Sequence, residues 1–130
     1  MNVIIVDTDI LIDFLRGRPQ AREFLLRIHD EATACCSAIT VGEIFAGMRE
    51  SEEAATRQLI AGLSVMPVTQ DIAEKAGELK RLAKGHALEL DDCLIAASAM
   101  LEPATLATKN ARHYPFDGLR LIVPKPWPTG

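Results

Sequence analysis

The chain is poor in cysteine, in aromatic residues and in positive charge, and each shortage removes a class of protein. Its three cysteines, Cys35, Cys36 and Cys93, are odd in number, and two are adjacent. That is neither a disulfide framework nor a CxxC metal clip, so they are expected to be small core residues in a reducing cytoplasm. His29, His86 and His113 lack the HxxxH spacing of a zinc site. No apolar run approaches the roughly 18–20 residues that cross a bilayer. The apolar N-terminus lacks a basic lead and is broken by Asp7, Asp9 and Asp13, which argues against a secretory signal. Acids outnumber bases 18 to 14, for a net charge of −4, so composition does not suggest a nucleic-acid partner.

What is present is the material of one globular domain. At 130 residues, with 48% hydrophobic and 25% charged side chains, the chain can bury a sizeable core. Bases do gather locally, at Arg16, Arg18, Arg22 and Arg27 and at Lys80, Arg81 and Lys84, but such runs read as solvated helix faces. The organisation is a domain over residues 1–123 and a proline-rich tail, 124–130, whose three prolines favour an extended, frayed end.

Periodicity alternates along the chain. Residues 2–6 read as a strand, 9–16 as a short helix closed by Gly17, and 19–29 as a helix with proline in its first turn. A strand at 32–36 precedes a helix capped by Thr40 and another helix after Ser51. Residues 64–68 make a weak edge strand broken by Pro67, and Thr69 opens a helix that Gly85 ends. An alanine-rich helix at 90–101 and strands at 104–108 and 119–123 complete the pattern. Strands alternating with helices predict a three-layer α/β/α sandwich on a central parallel sheet. Ligands of such sheets sit at the carboxyl ends of the strands, where Asp7 and Thr108 fall.

The acids in residues 3–17, VIIVDTDILIDFLRG, raise the chemical question, because a carboxylate set against a core strand costs several kcal/mol unless compensated. Asp9 reads as the cap of the helix that follows it, and Asp13 as an ion-pair partner of Arg16 or Arg18. Glu43, in SAITVGEIFAG, stands equally well as the far end of a Thr40-x-x-Glu43 capping box or as a ligand. Asp91 and Asp92 open a helix, where the dipole accounts for one of them more easily than for both. Should Asp7, Glu43 and Asp92 converge within about 4 Å, each pair would repel by about 4 kcal/mol at an effective dielectric of 20. Protonation or a cation would have to relieve that repulsion. Oxygen ligands without Cys or His favour Mg²⁺ or Mn²⁺, ions suited to work on phosphate esters.

Four segments in order, IVDTDILIDFLRG, AITVGEIFAG, DDCLIAASA and ATKNARHY, with GLRLI after them, resemble the motif series of PIN-domain ribonucleases, and in particular the VapC-type toxins of toxin–antitoxin pairs. The resemblance implies a Mg²⁺-dependent endoribonuclease (Mn²⁺ is the alternative ion), an RNA substrate, a cognate antitoxin, a homodimer, a cytoplasmic location and no membrane. It assigns Asp7 as first acid with Thr8 as its hydroxyl neighbour, Glu43 as second acid, and Asp92 as third through D-x-L-I-A-A. It thereby implies Asp7, Asp92 and Glu43 as metal ligands. Thr108 and Asn110 occupy the fourth motif, where Asn110 stands in place of the aspartate of fully acidic relatives and adds no charge to a second metal site. Asp117 could supply that acid, though a turn aspartate before Gly118 is the simpler reading. Arg16, Lys109 and Arg112 are candidate contacts to a substrate backbone.

Three rivals are weighed beside it, of which a receiver-like phospho-acceptor module would need an aspartate near position 55, where the chain reads ESEEAATRQL. VIIVDTDIL approaches the first motif of a haloacid-dehalogenase-type phosphohydrolase, but that enzyme needs a late acidic pair at a strand end. The third is a PIN fold that binds RNA or a partner without catalysis, a reading that Asn110 keeps open.

Overall fold

The structure, a computed structural model, describes residues 2–85 and 88–127; His86 and the last three residues of the tail, 128–130, lie outside that set. Its elements run β1 (Val3–Val6), α1 (Thr8–Leu15), α2 (Pro19–Glu31), β2 (Thr33–Ser37), α3 (Ala38–Gly47), α4 (Glu53–Ala61), β3 (Ser64–Met66), α5 (Gln70–Leu82), α6 (Leu90–Leu101), β4 (Thr105–Ala107) and β5 (Leu121–Ile122). The strands form one sheet in the order β3-β2-β1-β4-β5, and every pairing is parallel.

Two cores lie on opposite faces of that sheet. The strand period of two sends Ile5 to one face and Ile4 and Val6 to the other. Ile5 packs with Ile72, Ala76 and Leu79 of α5 and with Cys93, Ile95 and Ala96 of α6. Ile4 and Val6 pack with Ile10 and Leu11 of α1, Phe24, Leu25 and Ile28 of α2, and Ile44 of α3. Fully buried aliphatic side chains such as Ile5, Leu11 and Leu106 each contribute about 1.5–3 kcal/mol relative to exposure. The three layers are those expected from the alternation of elements. All three cysteines are free and buried, and burial pushes the Cys36 thiol up to about 11.

The sheet order sets the site. The chain leaves β1 for β2 on one side and returns to β4 on the other, so a crevice opens between the carboxyl ends of β1 and β4. Val6 pairs with Ala107, and the Asp7 N–H donates to the Ala107 carbonyl at 2.9 Å. Asp7 and Thr108, one residue past each strand, are brought side by side there.

Helix ends differ from expectation in two places. Asp7, not Asp9, caps α1: its backbone is still extended, and its Oδ1 accepts the Thr8 N–H, while Asp9 lies exposed in the first turn. Ser37, not Thr40, caps α3, with its hydroxyl accepting from the Ile39 N–H at 3.2 Å. The helix therefore starts at Ala38, Thr40 is buried inside it, and no Thr40–Glu43 capping box forms. The tail is also tied down as far as Trp127, which is buried and belongs to the α1–α2 core. A large indole outweighs the tendency of its flanking prolines to stay extended in solvent.

Candidate metal centre at the carboxyl end of the sheet

Asp7 is 7% exposed and, among the described residues, accepts three hydrogen bonds, none from a cation. Oδ1 takes the Thr8 N–H at 2.8 Å. Oδ2 takes the Thr108 hydroxyl at 2.7 Å and the Tyr114 hydroxyl at 3.0 Å. Burial raises its carboxyl above the usual range, the three hydrogen bonds pull the other way, and the nearby charge of Asp9 adds to the rise. Tyr114 is itself buried, and burial next to Asp7 drives its phenol far upward, so it stays protonated as a donor.

Thr8 links the first acid to the second. Its Oγ1 donates to Glu43 Oε1 at 2.7 Å and lies 3.0 Å from the hydroxyl of Thr40. Because α3 starts early, Glu43 faces α1 instead of folding back on its own cap. Burial raises the Glu43 carboxyl, the Thr8 hydroxyl opposes this, and the charges of Asp91 and Asp7 add to the rise. Thr108 continues the network outward, since its Oγ1 also accepts the Asn110 N–H at 3.0 Å.

Asp92 enters from the first turn of α6 and is half-buried. Burial again raises its carboxyl; the Glu89 backbone and the charge of His113 oppose this, whereas Asp9 and Asp91 reinforce it. His113 also contacts the Asn110 amide, Nε2 to Nδ2 at 3.1 Å. Asp7, Thr8, Glu43 and Thr108 thus share one hydrogen-bonded network with Asn110 at its edge, while Asp92 lies beside it, feeling Asp9 and Asp91 and acting with Asp7 on the Tyr114 phenol. Among the described residues, no group of three or more His, Cys, Asp or Glu side chains stands close enough together to hold a metal ion. The acids meet instead in overlapping pairs, in which Glu43 feels Asp91 and Asp7.

Other candidates fall elsewhere. Asp13 pairs with Lys109 and accepts the Trp127 indole N–H at 2.7 Å, while Arg16 pairs with Glu52 at 3.3 Å. The pairing expected for Asp13 with its sequence neighbour Arg16 is therefore replaced by contacts from distant segments. Arg16 and Lys109 are both engaged within the protein, and Arg112 is exposed. Asp117 is exposed ahead of Gly118, whose φ of 85° requires a residue without Cβ, in keeping with a turn. Asp91 and Asp92 open a helix, not a strand end, which removes the main support for the dehalogenase-type reading. Tyr114, Asp9 and His113 were the missed members. The signal for Tyr114 was available: it is the chain's sole tyrosine, four residues beyond Asn110 in NARHY.

Comparison with known proteins bears on the family and the fold. The family model described as PIN domain matches residues 4–119. Ribonuclease VapC10 of Mycobacterium tuberculosis is 36% identical over 121 residues, covering 91% of each chain. Among solved structures, a toxin–antitoxin complex from Klebsiella pneumoniae superposes with a TM-score of 0.78 at 29% identity, covering 94% of this chain and 98% of that one. VapBC2 from Rickettsia felis, bound to a DNA fragment from its promoter, shares the fold with a TM-score of 0.82 at 22% identity, covering 93% and 98%. The chain belongs to the PIN-domain family, beside the VapC ribonucleases.

Proposed function

We propose that this protein is a metal-dependent endoribonuclease acting as the toxin of a toxin–antitoxin pair, with Asp7, Glu43 and Asp92 holding one Mg²⁺ or Mn²⁺. The observation that carries the metal reading is Asp7 itself, a buried carboxylate at a strand end whose donors are all neutral. The donor chemistry suits a hard divalent cation: carboxylates whose protonation is favoured by burial and by the charge of neighbouring acids, with no thiolate among the described members of the network. Such an ion supplies Lewis-acid charge that acidifies water and offsets the charge that builds on a phosphodiester.

The chain's own groups do the rest. Thr8, Thr108 and Tyr114 hold Asp7 in one orientation, so no reorganisation is needed when an ion arrives. Glu43, oriented by Thr8 and with a raised carboxyl, is suited to take a proton from an attacking water. Asn110 and His113, joined at the rim, offer an amide and an imidazole to orient water or a phosphate oxygen. Asn110 adds no negative charge, which favours one ion over two.

The structural neighbours include toxin–antitoxin complexes, and this supports a cognate antitoxin for this chain. An arginine from it would bond well to the same uncompensated carboxylates. A homodimer and a cytoplasmic site of action complete the proposal; among the described residues no helix is long and apolar enough to cross a membrane.

Antitoxin-free protein should cut RNA in Mg²⁺ or Mn²⁺ and stop in excess EDTA, and folded Asp7→Asn and Asp92→Asn should be inactive. Cleavage that survives EDTA and both substitutions would overturn the reading.

A further inference from the structure

We propose that Trp127 is a positioning residue for the metal centre, acting through Asp13 and Lys109 on the loop that carries Thr108 and Asn110. The inference rests on the metal reading of Asp7. The sequence places Trp127 in a proline-rich tail outside every motif, yet it is 8% exposed and its indole N–H donates to Asp13 Oδ2 at 2.7 Å. The same oxygen receives the Lys109 ammonium, which also lies over the Trp127 ring, 5.2 Å from its centroid. One carboxylate oxygen, one ammonium and one indole therefore close a three-way clasp among α1, the loop after β4 and the tail.

Lys109 is flanked in sequence by the two residues that matter. On its inner side Thr108 donates to Asp7 at 2.7 Å and accepts the Asn110 N–H at 3.0 Å. The segment 108–110 is thus pinned twice, inward to Asp7 and outward to Asp13 and Trp127. The Thr108 N–H still donates to the Ile122 carbonyl at 3.0 Å, but past it, among the described residues, no sheet hydrogen bond holds Lys109 or Asn110. A charge-assisted contact with stacking over an aromatic face supplies that order. Lys109 is consequently a brace and not a free contact for a substrate phosphate.

A tryptophan that merely filled the core would not depend on its N–H. Trp127→Phe keeps an aromatic ring but loses the donor, whereas Asp13→Asn keeps an oxygen acceptor but loses the charge that holds Lys109. At a temperature where each variant is folded, both should weaken Mn²⁺ binding by about fivefold in calorimetry, less than the 10–100-fold typical of groups that touch a ligand directly. Both should lower kcat for RNA cleavage at unchanged KM. Trp127 is the single tryptophan, so Asp13→Asn should also shift the emission of the metal-free protein. Wild-type Mn²⁺ affinity in folded Trp127→Phe, or unaltered emission in Asp13→Asn, would overturn the proposal. Asp7→Asn separates the two layers of inference. Loss of Mn²⁺ binding there with none in Trp127→Phe defeats only the positioning role, and retained binding in Asp7→Asn defeats the metal reading itself.

Discussion

Asp7 and Asp13 stand at the start and in the body of α1, six positions apart, and both are withdrawn from solvent and hydrogen-bonded. Their partners differ in charge. Asp13 meets an ammonium and an indole N–H, so its negative charge is matched within the protein. Asp7 meets an amide and two hydroxyls, with Asp9 close enough to raise its carboxyl further. Neutral donors orient a carboxylate but leave its charge unmatched. The first arrangement fastens three segments together; the second leaves a charge for a cation to complete. Lys109 joins the two regions, because it braces Asp13 while its neighbour Thr108 holds Asp7.

The largest effect should come from Asp7→Asn. RNA cleavage should fall about a thousandfold or more, a loss of about 4 kcal/mol of transition-state stabilisation at roughly 1.4 kcal/mol per decade. The melting temperature of the metal-free protein should rise, since a buried unmatched charge is removed; a fall would mean that Asp7 is as structural as Asp13. Asp13→Ala is the converse. It strands the indole N–H and the ammonium and should cost about 2–3 kcal/mol in urea unfolding, with or without Mg²⁺.

A graded effect should appear with pH. Asp7, Glu43 and Asp92 all have carboxyls raised above their ordinary values of 3.8, 4.5 and 3.8. The folded state then binds protons more tightly than the unfolded one. In EDTA, their contribution to stability is greatest below those ordinary values and is lost as pH rises through the raised ones. Mg²⁺ should flatten this slope by holding the carboxylates deprotonated, and unfolding titrations with and without the ion measure the difference. A slope unmoved by Mg²⁺ would erase the contrast with Asp13. The smallest effect belongs to Arg57→Ala, remote from both regions. Its exposed pair with Glu53 and its place 5.0 Å above the Phe45 ring should be worth about 0.5–1 kcal/mol in the same assay, with cleavage unchanged.

Local signals were legible wherever neighbours in sequence settle the outcome. The helix at 90–101 and the Thr69 cap follow from periodicity and capping, and both stand in the structure. Choosing Asp92 over Asp91 needed the family motif, because both occupy the first turn of one helix. The caps of α1 and α3 were misread for a subtler reason. Asp7 and Asp9, like Ser37 and Thr40, are all competent capping residues, and what decides is where the strand ends, which depends on its pairing. Trp127 lay beyond reach, since it contacts Asp13 across 114 residues, and the place of Tyr114 in NARHY did not disclose that it meets Asp7 across 107.

By itself the sequence determined the alternating layers and the acid that follows β1, because side-chain period and turn chemistry act over a few residues. Tertiary structure alone decided which aspartate would be matched by a cation and which left open. That choice rests on strand order and on contacts between segments a hundred residues apart, where no local propensity acts.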